Sequence, residues 1–206
     1  MTLYAVTDAA WTGEKTLTEQ TEEAMKGGIT FLQLREKQLP EAAFLKEAIE
    51  IRDIARKYQI PFVINDNIEI AQKAEADGVH VGQDDMPVEE VRQILGPDKI
   101  IGVSAHNVEE AVRAEQGGAD YLGVGAVYPT STKENTSAVS MEEMKKICQT
   151  VSIPVVAIGG IKKDNMNVLT GTGVDGIAVV SAIFAAKDIR KAARELLEAV
   201  KEMKAE

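Results

Sequence analysis

The sequence predicts an α/β fold, a single-domain (β/α)8 TIM barrel running through residues 1–206. Two observations carry the prediction: eight short apolar runs recur along the chain, and stretches of helical periodicity separate them. Strands that are apolar on both faces need cover on both sides, and parallel strands need crossovers. The alternation therefore demands a parallel sheet wrapped in helices, and eight such units close into a barrel. The rival architecture, an open doubly wound sheet, opens its first helix with Gly-x-Gly-x-x-Gly, and no such pattern follows "LYAVTD".

The first run, Leu3 to Val6, leads through Thr7 and Asp8 to the helical stretch "LTEQTEEAMK". The second, Thr30 to Leu34, is entered through "KGGI". Glycine after a helical stretch supplies the positive φ that ends a helix, and a strand-forming run follows. A similar joint returns in "AEADGVHVGQDD", "AEQGGADYLGVGA" and "TGTGVDGIAVVSA", leading into Gly78 to Val81, Tyr121 to Val124 and Gly176 to Val180. Phe62 to Ile64 and Val155 to Ile158 are entered through an Ile-Pro pair; proline at the start of a strand removes an N–H where its loss costs little. Ile100 to Val103 completes the set. Helices are expected over "PEAAFLKEAIEIRDIARKY", "IEIAQKA", "PVEEVRQIL", "VEEAVRAEQ", "SMEEMKKICQTV" and "IRKAARELLEAVKEM", with only a short segment, Asp164 to Leu169, between the last two strands.

The formal net charge of −10 repels nucleic-acid backbones and anionic membrane surfaces at long range, so neither is an expected partner. Screening over about 8 Å still lets a few local cations hold a small anion. Nothing in the composition opposes a homo-oligomer. Cys148 is the single cysteine, which rules out an intrachain disulfide, and "MKKICQTV" places it on the apolar face of a helix rather than in a reactive setting. No apolar run approaches the ~20 residues of a membrane span, and no basic segment precedes an apolar core at the N-terminus. A cytoplasmic location is expected.

In such a barrel the active site lies at the C-terminal ends of the strands. Within "FLQLREK", period two sets Gln33, Arg35 and Lys37 on one side and Leu32 and Leu34 on the other. An Arg fork and a Lys point charge together suit a doubly charged or polyphosphate ligand, the other reading being surface charge after a strand with Glu36 as partner. Asp66 and the Asp84-Asp85 pair end neighbouring strands, where they read either as ion-pair partners of those cations or as ligands of Mg²⁺, a hard cation content with one or two carboxylates. His80 and His106 read as hydrogen-bonding pocket residues rather than general bases. Gly159 and Gly160 in "AIGGI", with Ser181 in "AVVSAI", form a second anion site of the kind barrels build after strands seven and eight. Two anion sites across one barrel mouth suit a transferase that joins two phosphorylated halves and stabilises pyrophosphate as it leaves.

The motifs "QLREK", "NDN", "GVHVGQDD", "GVSAHN", "GADYLGVGAVYPTSTK", "IPVVAIGGI" and "GIAVVSAI" resemble, in order and in position at the strand ends, those of the thiamine phosphate synthase family. The resemblance spans nearly the whole chain. It implies condensation of hydroxymethylpyrimidine diphosphate with hydroxyethylthiazole phosphate, with release of pyrophosphate and with Mg²⁺ as cofactor. It implies a pyrimidine diphosphate site at Gln33, Leu34, Arg35, Glu36, Lys37, Asn65, Ser104 and Lys133, with Arg35, Lys37, Ser104 and Lys133 as the catalytic set. Asp66 and Asp85 are the implied metal ligands, and Thr130, Ser131, Thr132, Gly160, Val180 and Ser181 the implied thiazole phosphate site. The alternative is a thiazole tautomerase on the same fold. The family pattern gives that enzyme a His at the exit of strand six, where this chain has Ala126.

Overall fold

A computed structural model describes residues 1–129 and 138–205. Among these, β1 (Leu3–Val6), β2 (Phe31–Leu34), β3 (Phe62–Asn65), β4 (Gly78–Val81), β5 (Ile100–Ala105), β6 (Tyr121–Val124), β7 (Val155–Ile158) and β8 (Gly176–Val179) pair in parallel in sequence order. β8 returns to β1, with Ala178 beside Tyr4, and closes the barrel. The expected fold class is thus the observed one.

The helices α1 (Leu17–Gly27), α2 (Glu41–Tyr58), α3 (Ile68–Lys73), α4 (Val88–Leu95), α5 (Val108–Gln116) and α6 (Met141–Thr150) follow the strands in turn. Their starts are marked by local chemistry. Thr16 and Glu19 form a capping box on α1, and Asn67, Asn107 and Ser140 each accept a backbone N–H at the head of α3, α5 and α6. The short segment before β8 is a 3₁₀ turn, Met166–Leu169. α7 (Ser181–Phe184) follows β8 at once, too short for periodicity to register, and α8 (Ile189–Ala205) ends the fold.

Four joints obey one rule. Thr30, Asp77, Asp120 and Asp175 each stand immediately before an even-numbered strand. Each donates its own N–H to a carbonyl at the start of the preceding odd strand, Thr30 to Leu3, Asp77 to Phe62, Asp120 to Ile101 (the second residue of β5) and Asp175 to Val155, at 2.7–2.9 Å. Each side-chain oxygen in turn accepts that residue's N–H, at 3.0, 2.8, 2.7 and 2.9 Å respectively. The clamps pair β1 with β2, β3 with β4, β5 with β6 and β7 with β8. This is why β2 begins at Phe31 and not at Thr30, whose side chain is engaged in the clamp. Two residues before each clamp the chain turns left-handed, at Gly28 (φ 101), Glu75 (φ 50), Gly118 (φ 95) and Gly173 (φ 95). In the second joint, therefore, it is Glu75 and not a glycine that stops the helix.

Side-chain alternation sorts the strands into two layers. Leu32, Leu34, Ile64, Val79, Val81, Ile101 and Leu122 point outward into the helix-covered core. Tyr4, Val6, Phe31, Val63, Tyr121, Val156 and Ala178 fill the barrel interior. There Tyr4, Phe31 and Tyr121 meet edge to face, with centroids 4.7–5.9 Å apart. Gly102 makes room for them. It lies beside Tyr121 on one side and His80 on the other, and a Cβ there would sit 2.1 Å from the Tyr121 ring and 2.5 Å from His80 Nδ1.

Candidate active site

Above the aromatic layer the C-terminal strand ends enclose one cavity. Gln33 and Arg35 reach it from β2, Asn65 from β3, His80 from β4 and Ser104 from β5. From the opposite arc come Gly160 after β7 and Val180 and Ser181 after β8. The two anion-binding arcs expected from sequence thus share one cavity. Thr130, Ser131, Thr132 and Lys133 lie outside the described residues.

The other expected residues among those described do not line the cavity. Leu34 is fully buried and packs outward into the helix-covered core. Glu36 turns back on its own loop, where Oε1 accepts the N–H groups of Lys37, Gln38 and Leu39 at 2.7, 2.7 and 3.3 Å. Lys37 leaves the β2 exit to pair with Asp66. Asp66 stands at φ +59 directly after β3, a left-handed turn that aspartate tolerates better than most side chains, and its N–H is held by the His80 carbonyl at 2.8 Å. Asp85 Oδ2 accepts the Gly82 N–H at 2.7 Å, closing the turn after β4.

Asp66 and Asp85 therefore follow adjacent strands. Among the described residues no three carboxylate, histidine or cysteine side chains converge as a preformed metal cage. The Asp66 and Asp85 carboxylates are hard oxygen donors of the type Mg²⁺ accepts, with Asp66 paired to Lys37 and Asp85 to the Gly82 N–H.

Arg35 is anchored by the exit of β1. The Thr7 hydroxyl accepts the Arg35 N–H at 2.9 Å, and Asp8 Oδ2 lies 3.7 Å from Nη1. Thr7 and Asp8 were not singled out from sequence as site residues, although "VTD" carries the same polar strand-end signal as the other exits. His106 also lines the cavity. Its Nδ1 lies 2.8 Å from Glu110 Oε2, which also accepts the His106 N–H at 2.9 Å. Burial pushes the Glu110 carboxyl up, but the hydrogen bonds from His106 and Asn107 outweigh it and hold the group below its usual range. His80 is bonded at both ring nitrogens, to Tyr121 and Ser104, in keeping with a pocket role rather than that of a general base. Cys148 is half-buried on α6, and burial raises its thiol to about 11, which leaves little thiolate at neutral pH.

The exits of β6 and β7 are in van der Waals contact. A Cβ on Gly160 (φ +63) would fall 2.7 Å from the Tyr128 Cβ, and one on Gly159 would fall 2.5 Å from the Ala126 Cβ. Asn165 holds the turn by donating to the Gly160 carbonyl at 3.0 Å and accepting the Lys162 N–H at 2.7 Å. Ser181 opens α7, and the first amides of any helix point outward without intrahelical acceptors.

Residues 3–183 match the family model described as thiamine monophosphate synthase. The thiamine-phosphate synthase of Clostridium acetobutylicum is 52% identical over 199 residues, covering 97% of this chain and 94% of that protein. That of Ruminiclostridium cellulolyticum is 53% identical over 197 residues, with 96% and 94% covered. Among solved structures, the thiamine phosphate pyrophosphorylase from Pyrococcus furiosus superposes with a TM-score of 0.90 at 42% identity, covering 98% of this chain and 96% of that one. With the barrel, the two-arc cavity and these relatives in agreement, the chain belongs to the thiamine monophosphate synthase family.

Proposed function

We propose that the protein joins 4-amino-2-methyl-5-hydroxymethylpyrimidine diphosphate to 4-methyl-5-(2-hydroxyethyl)thiazole phosphate, giving thiamine phosphate and pyrophosphate, in the cytoplasm. The observation that carries this reading is the shared cavity, with Gln33, Arg35, Asn65 and Ser104 on one arc and Gly160, Val180 and Ser181 on the other. Arg35 and Lys37 meet the diphosphate, while the amides at Gly160 and Ser181 take the thiazole phosphate. Lys133 is assigned to the diphosphate, and Thr130, Ser131 and Thr132 to the thiazole half.

The reaction is dissociative. The C–O bond to the diphosphate breaks first, with its electrons leaving on pyrophosphate. The pyrimidine methylene cation is stabilised by its own ring amine, and the thiazole nitrogen then supplies the pair that forms the new C–N bond. No proton transfer at the reacting carbon is needed, which agrees with histidines held in hydrogen bonds. The protein contributes orientation, and positive charge where the leaving pyrophosphate gains negative charge. Asp66 and Asp85 would hold Mg²⁺, which when bound supplies further charge to the departing pyrophosphate.

Purified protein given both substrates and Mg²⁺ is expected to form thiamine phosphate and pyrophosphate in equal amounts; absence of product overturns the proposal. The Arg35→Ala, Lys133→Ala double variant is expected to lose this activity. Turnover of a thiazole substrate surviving both changes would instead indicate an isomerase of the tautomerase kind, which needs no diphosphate site.

A further inference from the structure

We propose that Tyr4, Tyr121 and His80 are positioning residues, forming a one-way chain of hydrogen bonds through the barrel that presents Gln33 to the cavity as an acceptor and Ser104 as a donor. The chain runs from the Gln33 amide nitrogen to the Tyr4 hydroxyl, from there to the Tyr121 hydroxyl at 2.8 Å, to His80 Nδ1 at 2.9 Å, and from His80 Nε2 to Ser104 Oγ at 3.0 Å. Both ends line the active cavity. Tyr4 and Tyr121 are each 1% exposed and Gln33 4%. Hydroxyl groups buried to this degree must pair with one another or lose a hydrogen bond outright.

Proton counting gives the chain its direction. An amide nitrogen only donates, so the Tyr4 oxygen accepts from Gln33 and Tyr4 passes its own proton to Tyr121. Tyr121 then donates to His80 Nδ1. A neutral imidazole that accepts at Nδ1 carries its proton on Nε2 and donates to Ser104. The Ser104 proton is thereby turned toward the cavity. Were Tyr121 to donate to Tyr4 instead, the Tyr4 proton would be left with no acceptor among the described residues. Burial raises both phenols, so neither loses its proton at neutral pH. At the other end the Gln33 amide oxygen takes no partner from the described residues.

The cavity therefore offers an acceptor at Gln33 and a donor at Ser104. A heteroaromatic ring with an exocyclic amine presents the complementary pair, an N–H donor and a ring-nitrogen lone pair. The corresponding oxo ring presents the reverse pair, a carbonyl acceptor and a ring N–H. The chain is thus a selectivity device for an aminopyrimidine over a pyrimidinone. This choice of ligand rests on the function proposed above, whereas the proton order rests on the protein alone.

Nitrogen-15 NMR of His80 in the unmodified protein tests the proton order. A pyridine-like Nδ1 and a pyrrole-like Nε2 are expected, and the opposite tautomer or an imidazolium at neutral pH overturns the proposal. Calorimetry with the 4-amino- and 4-oxo-pyrimidine methyl monophosphates, which lack the diphosphate leaving group, tests the selectivity. The parent is expected to favour the amino compound by about tenfold or more. Tyr121→Phe, which keeps the ring and removes the central hydroxyl, is expected to cut that ratio at least about threefold while its affinity for pyrophosphate stays unchanged. A ratio unchanged in Tyr121→Phe overturns the proposal, since a merely structural hydroxyl alters stability and not the ratio. Should that variant fail to fold, Tyr4→Phe breaks the same chain one link along and is read by the same ratio. If the parent makes no thiamine phosphate yet His80 shows the expected tautomer, the proposed function falls and the proton order stands.

Discussion

Arg35 is fixed from two directions, its main chain by the Thr7 hydroxyl and its guanidinium by Asp8 at 3.7 Å. In the proposed reaction, a planar fork held in this way would meet the diphosphate with little further ordering, and its contribution to rate would arise there. Arg35→Ala is expected to lower kcat/KM by about 10²-fold, and Asp8→Asn by a smaller factor, in steady-state assays of product formation. The partnership of Lys37 with Asp66 makes a second prediction. Asp66→Ala frees Lys37 and removes the proposed metal donor together, so the Mg²⁺ concentration needed for half-maximal activity should rise sharply; an unchanged requirement refutes the ligand role. Glu47 gives a residue-scale prediction for stability. Burial first, and then Glu36 and Glu50, raise its carboxyl above the usual value, and its Oε2 is buried with no hydrogen-bond partner among the described residues. The fold therefore favours the protonated form, a contribution present below the unfolded value and lost as pH rises through the folded one. Glu47→Gln should raise the urea midpoint at neutral pH and make little difference in acid.

The element scale explains what the sequence disclosed and what it hid. Three of the four joints were legible because a glycine stop and a strand-forming run follow a helical stretch, in "GGIT", "GGAD" and "GVD", and local backbone geometry is written in local residue types; in "EAD" the left-handed stop is Glu75, where the sequence pointed to glycine. The clamp itself was not legible, since each side chain reaches an N–H some 15 to 27 residues earlier. The active cavity divides in the same way. Gln33, Arg35 and Ser104 could be read as polar breaks at strand ends, whereas Tyr4 and Tyr121, 117 residues apart, read as ordinary core aromatics until closure brings their hydroxyls together. Lys37 shows the limit of period two: Gln33 in β2 and Arg35 just after it both line the cavity, whereas Lys37, further beyond the strand, does not. A clamp side chain removed without replacement leaves a backbone N–H unpaired at the barrel floor. Asp77→Ala is accordingly expected to destabilise the protein by about 1–3 kcal/mol in urea denaturation. Gly102→Ala, which drives a methyl into Tyr121 and His80, should cost about the same through overpacking, and it should also weaken the polar chain above it.

At the scale of the whole molecule, carboxylates join successive β/α units around the barrel. Glu115 on α5 accepts the Ser152 N–H at 2.7 Å and its hydroxyl at 2.6 Å, tying α5 to the entry of β7. Glu143 on α6 accepts the Val108 N–H at the head of α5, at 3.0 Å, and Glu110 secures the exit of β5 through His106. Hydrogen bonds from Ser152 hold Glu115 below its usual range, and those from His106 and Asn107 do the same for Glu110 against the opposing effect of burial. A carboxyl whose value is lower in the folded chain than in the unfolded one binds fewer protons when folded. Its contribution is then present above the ordinary value of 4.5 and lost as pH falls through the lower, folded value. Glu47 acts in the opposite sense, but it is one group on one helix face, whereas Glu110 and Glu115 each join separate elements. The urea midpoint is therefore expected to change little between about pH 8 and pH 5 and to fall below about pH 4.5. Glu110→Gln should remove part of that fall, because an amide cannot accept from His106 as a carboxylate does. A midpoint that climbed on acidification would show that Glu47, and not the joints between units, governs how this barrel responds to pH.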